Sequence, residues 1–164
     1  MAFWRNSKEV VHGDQLAVRF DSKVKMDLSA KIPLLFSAIF LLVGMLTGVW
    51  KYRKTMDSPE HRAPAYVDIA HRASLLYAFA CLVIAKLVEF SPFGEGLRIA
   101  IVAVPISYFA LTVTGYVREG ILDRTDNMFA ERNFVTTWFM YGLIAGEIGG
   151  VVLLLSGFVY SQFL

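Results

Sequence analysis

The segment Ile32–Trp50, IPLLFSAIFLLVGMLTGVW, contains no charged residue. Crossing the hydrocarbon layer of a bilayer takes about 20 mostly apolar residues, because a helix rises about 1.5 Å per residue. No other feature limits the chain more, and it recurs. Tyr66–Phe90 is a second such segment, uncharged from Ala73 to Ala85, and Ile99–Val117 is a third, uncharged throughout. Phe134–Leu164 is the fourth, interrupted only by Glu147. In lipid every backbone N–H and C=O must be satisfied within the segment, so each is expected as a helix. The reading is an all-α integral membrane protein, a bundle of four transmembrane helices at 32–50, 66–90, 99–117 and 134–162. Both termini then lie on one side. A polar tail, 1–31, precedes a single transmembrane domain, 32–164. The tail is a candidate for a short surface helix, although its apolar residues keep no firm period.

Composition supports the same solvent. Hydrophobic residues make up 56% and charged residues 18%, against about 25% charge in an average soluble domain. Mean hydropathy is +0.53. A net charge of +2 with no basic stripe argues against a nucleic-acid partner. The single cysteine, Cys81, excludes a disulfide within the chain. The polar start lacks the apolar run of a signal peptide, so insertion is expected to rest on the internal segments. The sequence shows no Gly-rich phosphate loop, paired-cysteine zinc site or nucleophile elbow.

The connections divide by face. SPFGEG, between the second and third segments, is a short turn marked by Pro92 and Gly94. KYRKTMDSPEHRAPA and REGILDRTDNMFAERN are longer, charged, and emerge together on what is here termed the loop face. Lys and Arg occur on both this face and the tail, which leaves the orientation open. Gly44 and Gly48, and Gly142, Gly146 and Gly150, recur at four-residue spacing, which lets helix backbones approach closely. Ordinary packing within one subunit is expected of them. Pro105 is expected to bend the third helix, and Lys86 with Glu89 to form a pair at the far end of the second.

The second segment opens with three polar groups that lipid does not welcome: Asp68, His71 and Arg72. By helical rise His71 lies about 7 Å inside the helix start, near the loop-face boundary. Helical periodicity aligns it with Ser74, Ala78 and Ala85, a stripe of small residues suited to a closely packed helix or to a flat ligand. Asp68 is a helical neighbour of both His71 and Arg72. Its carboxylate can pair with the guanidinium, or accept from the imidazole N–H and set the tautomer of a metal-ligating histidine. The bland alternative is an interfacial ion pair beside a hydrogen-bonded histidine.

Glu147 falls near the middle of the fourth segment, where a charge costs at least about 2.5 kcal/mol. It must face the bundle interior, pair, or stay protonated, with Tyr108, Thr112, Tyr77 and Cys81 as candidate company. A protonated carboxyl there serves either as a proton donor or as a neutral lock between helices. A divalent-metal site could also be assembled on the loop face from Asp57, Glu60, His61, Asp123, Asp126 and Glu131 with His71, although no ligand spacing there matches a known motif.

LLVGMLTGVW in the first segment, AHRASLLYAF opening the second and FSP closing it resemble the small four-helix membrane isomerases. That group includes styrene oxide isomerase and hydroxylaminobenzene mutase, and the resemblance covers roughly residues 32–117. It implies a homotrimer with haem b at each subunit interface, and His71 as the axial ligand. The implied reaction uses ferric iron as a Lewis acid on an epoxide oxygen, opening the ring toward a carbonyl product. A tyrosine of the third helix holds the substrate in that group, a place for Tyr108 or Tyr116. Where the group carries a pocket asparagine, this chain has Tyr77, in LLYAF. The resemblance thus points to a multi-pass protein of a bacterial cell membrane. It would bind haem through His71, with Asp68, Arg72, Ser74 and Ala78 around the cofactor, and act on a small hydrophobic molecule through Tyr77, Tyr108 and Glu147. Two other functions fit the residues: a non-enzymatic membrane subunit docking through the loop face and tail, and a small proton-coupled carrier using Glu147 and Arg72.

Overall fold

The computed structural model describes residues 26–164. The expected surface helix of the tail lies almost wholly outside the described residues. The chain forms α1 (Leu28–Asp57), α2 (Ala65–Glu89), α3 (Glu95–Leu122) and α4 (Met140–Phe163), the last entered through a π-helical turn at Val135–Phe139. All four helices are long and apolar enough to cross a membrane. They alternate in direction, so the start of α1, the end of α2 and the start of α3 share one end of the bundle.

The helices are longer than the apolar segments. α1 runs past Trp50 through Lys51, Arg53 and Lys54 to Asp57, and α3 past Val117 to Leu122. Hydropathy marks only the part suited to lipid. Backbone hydrogen bonding continues through good helix formers such as Lys and Arg, whose long side chains carry their charge outward. Pro59, two residues beyond Asp57, cannot extend α1. Asp123 closes α3 in the left-handed conformation, φ 46°, and its N–H donates to the Glu119 carbonyl at 2.8 Å. Asn133 and Thr136 start the fourth helical run by capping each other. The Asn133 N–H donates to Thr136 Oγ1 at 2.8 Å, and the Thr136 N–H to Asn133 Oδ1 at 2.9 Å.

Small residues set the packing. A Cβ added at Gly44 would meet Leu75 of α2, and one at Gly48 would meet the His71 ring. Ser37 Oγ donates to the Ala78 carbonyl at 2.8 Å, so the two backbones lie close. On the other side Gly142 and Gly146 of α4 form a notch for the Tyr108 ring, and Gly150 rests on Pro105 and the Ile101 carbonyl. The glycine spacings therefore serve contacts inside one subunit, as expected. α3 stays helical through the buried Pro105. Val67, Ala70, Cys81, Ile84, Val88, Val102 and Leu154 are buried between the helices.

The outward faces are aliphatic and aromatic. Leu35, Leu76, Phe79 and Trp138 are 60%, 69%, 68% and 70% exposed. At the start of α1 the Ser29 N–H and hydroxyl both donate to the Glu95 carboxylate, at 2.9 and 3.0 Å. Arg98 then bridges Glu95 at 2.9 Å and Asp27 at 3.1 Å. An acid of α3 thus caps the N-terminus of α1, where the helix dipole favours negative charge. Lys86 and Glu89 pair at 2.7 Å at the end of α2, as their spacing predicted.

Candidate functional site

The polar opening of α2 meets the end of α1 in the antiparallel pair. There Asp68 accepts from two cations, Lys51 Nζ of α1 at 2.5 Å and Arg72 of its own helix at 2.8 Å. Of the two roles open to this carboxylate, the ion pair is the one formed. The Lys51 partner was not foreseen. A base at the end of one helix and an acid at the start of the next, at matching height, is the signal that identifies it.

The imidazole turns the other way. His71 Nδ1 lies 2.8 Å from the Gly44 carbonyl oxygen of α1. A carbonyl can only accept, so Nδ1 carries a hydrogen and donates it. Nε2 has no hydrogen-bond partner among the described residues. The ring reaches this position because Gly48 leaves room: a Cβ there would stand 2.9 Å from Cε1 and 3.1 Å from Nδ1. The imidazole N–H expected to donate to Asp68 donates instead to a backbone oxygen.

The small-residue stripe is used for helix packing. Ser74 is 0% exposed, its hydroxyl donating to the Ala70 carbonyl at 2.7 Å, and Ala78 is 5% exposed. The helix facing that stripe is α1, so the flat-ligand use expected for Ser74 and Ala78 finds no open surface there.

A second cluster lies deeper. Tyr77 of α2 stacks on Phe109 of α3, ring centroids 4.2 Å apart and planes 15° from parallel. Thr112 of α3 lies near the Tyr77 hydroxyl with no hydrogen bond formed between them, and Glu147 of α4 lies in the same neighbourhood. Two polar atoms here are buried without a partner, Thr112 Oγ1 and Glu147 Oε1. Buried polar groups are normally hydrogen-bonded, so a pair of orphans at one place calls for an explanation. A cleft of about 280 Å³, lined by Ile69, Arg72, Ala73, Leu76, Tyr77 and Tyr116, shares Tyr77 with this cluster.

Of the two tyrosines expected at the substrate position, Tyr116 lines the cleft, stacked also on Tyr66 at 6.1 Å. Tyr108 sits in the glycine notch of α4, edge-on to Phe139.

The loop-face metal site does not form. Among the described residues no group of three or more His, Cys, Asp and Glu side chains is placed to hold a metal ion. Asp57, Glu60, Asp123 and Asp126 instead rim an open groove of about 690 Å³, interspersed with Lys54 and Arg62. Mixed charge of this kind is what a solvated surface carries.

Comparison with protein-family models, curated proteins and solved structures finds no match to this chain. The isomerase resemblance is thus carried by the short motifs quoted above alone.

Proposed function

We propose that this chain is a multi-pass integral membrane protein that binds haem b through His71 and acts on a small hydrophobic molecule. Its outward leucines and phenylalanines and Trp138 support the membrane setting, since apolar surface of that extent is rare on a soluble monomer. The bacterial cell membrane is carried over from the isomerase resemblance.

One observation carries the haem reading, the Nδ1–H bond to the Gly44 carbonyl. Metal-ligating histidines usually donate their second ring N–H to a carbonyl or carboxylate, which sets the tautomer and raises the basicity of the ligating nitrogen. His71 meets that condition, with Nε2 left as the donor atom. The stripe of Ser74 and Ala78 does not supply the macrocycle's support, because it faces α1. That support has to come from outside the subunit, which is why a homo-oligomer, a trimer by the resemblance, belongs to the proposal.

Once bound, ferric haem would supply a Lewis acid for an oxygen-bearing substrate. The chain's own residues do the rest. Gly44 and Gly48 hold the imidazole in one orientation, and the apolar faces of α2 and α3 admit a hydrophobic molecule from lipid. The Tyr77 and Tyr116 hydroxyls along the cleft offer hydrogen bonds to its polar atom.

The test is an absorption spectrum of the protein purified in mild detergent, with and without added haem. A Soret band that disappears in His71→Ala and persists in His61→Ala supports the reading. Absence of the band from both wild-type samples rejects it.

A further inference from the structure

We infer that Tyr77, Thr112, Tyr116 and Glu147 form a water-bridged proton relay, running from the cleft between α2 and α3 to a carboxyl in the middle of the bundle. The inference is independent of whether His71 binds haem.

Depth is the first argument. Arg72, at the rim of the cleft, lies about 10 Å below the loop-face start of α2, and Tyr77 about 18 Å below it. Glu147 lies about 18 Å along the fourth helical run from Val135. The polar side chains therefore descend from the loop face, Arg72 then Tyr77, and end near mid-helix at Glu147.

The second argument is the pair of orphans. Glu147 Oε1 and Thr112 Oγ1 are each buried with no protein partner. Ordered water is the usual partner of such atoms, typically making about 3 hydrogen bonds to groups of this kind. Water there would also join the two phenols to the carboxyl. Intramembrane carboxyls faced by hydroxyls and water are the ordinary components of proton paths.

The third is the lack of an alternative occupation for Glu147. The titratable groups in its neighbourhood are the phenols of Tyr77 on α2 and Tyr116 on α3. None of the salt bridges among the described residues includes it. A carboxyl free of any fixed cation can take up and release a proton without breaking an ion pair.

The transfer balances simply. A hydronium in the cleft gives a proton to a relay oxygen and becomes water, that oxygen passes its own proton inward, and the last transfer makes an O–H bond on the Glu147 carboxylate. Release follows the reverse order, and no electron moves.

Infrared spectroscopy of the full chain in liposomes, transferred from H2O to D2O, reads this directly and needs no haem. A protonated-carboxyl C=O band is expected in the wild type, shifting on deuteration and missing in Glu147→Gln. Tyr77→Phe removes a relay hydroxyl and Ala73→Trp plugs the cleft from its rim. Each should slow deuteration of that band by about tenfold or more, the lower end of what a positioned proton-transfer group contributes. Tyr160→Phe, an exposed tyrosine near the far end of α4, should leave the rate unchanged. Three results would overturn the inference: no such band from acidic to neutral pH, persistence of the band in Glu147→Gln, or wild-type exchange in both Tyr77→Phe and Ala73→Trp. If Glu147→Gln does not fold, the last comparison decides alone.

Discussion

His71 and Gly44 are joined across the α1–α2 interface by a hydrogen bond of 2.8 Å from the imidazole to a backbone carbonyl. The carbonyl is accessible because Gly44 and Gly48 leave that face of α1 without side chains. The ring is thereby held in one orientation against α1.

Gly48→Ala is expected to break this arrangement. The new methyl would lie 2.9 Å from Cε1 and 3.1 Å from Nδ1, so the ring must swing away and lose its acceptor. Overpacking of this kind typically costs about 1–3 kcal/mol. Thermal unfolding in detergent reads the cost. In haem-supplemented samples the Soret absorbance should fall toward that of His71→Ala although the histidine is still present.

The Asp68 cluster should matter much less. Its three side chains keep 38%, 28% and 65% of their surface exposed, for Lys51, Asp68 and Arg72 respectively. Partly exposed pairs contribute about 0.2–1 kcal/mol. A double-mutant cycle on Lys51 and Asp68 should return a coupling in that range, larger than the one for Arg72 and Asp68, since the lysine is the less exposed cation. Both couplings should shrink in high salt, where screening acts on exposed charges first.

At the opposite end Glu95→Ala is expected to loosen the start of α1. Ser29 would lose the acceptor for both its N–H and its hydroxyl, and the helix dipole would lose a facing charge. Amide hydrogen exchange across 28–31 should accelerate while exchange in the middle of α1 stays unchanged. Equal acceleration along the whole helix would mean that the carboxylate supports the bundle rather than the cap.

How much of this was legible follows from range. The four helices were plain because lipid demands long apolar runs, and the glycine spacings because close backbones demand absent side chains. Asp68 with Arg72, and Lys86 with Glu89, are neighbours on one helix and so readable from spacing. The Lys51–Asp68, His71–Gly44 and Ser29–Glu95 contacts join different helices. Each depends on the height and rotation of one cylinder against another; opposite charges at facing helix ends hint at Lys51–Asp68, and no local pattern encodes the other two. The same reason explains why Tyr108 and Tyr116 could not be separated in advance. They lie on one helix, and only the placement of α4 shows which fills a notch and which lines a cleft.

That placement can be tested with two glycines three residues apart on α4. A Cβ at Gly146 would stand 2.7 Å from Tyr108 Cε2, 2.9 Å from Val104 Cγ1 and 3.0 Å from Tyr108 Cδ2, while one at Gly149 meets nothing within 4 Å. The obstruction at Gly146 is a ring already wedged between helices, so it cannot yield as the tip of a flexible chain would. In lipid, helices associate through packing rather than through hydrophobic burial, so a lost close approach has no compensating term. Gly146→Ala should therefore destabilise by about 1–3 kcal/mol. Gly149→Ala should fall within about 0.5 kcal/mol of the wild type and gain slightly from the better helix propensity of alanine. Unfolding of both variants in the same detergent decides the matter. Equal effects at the two positions would mean that α4 meets α3 through a different face from the one described.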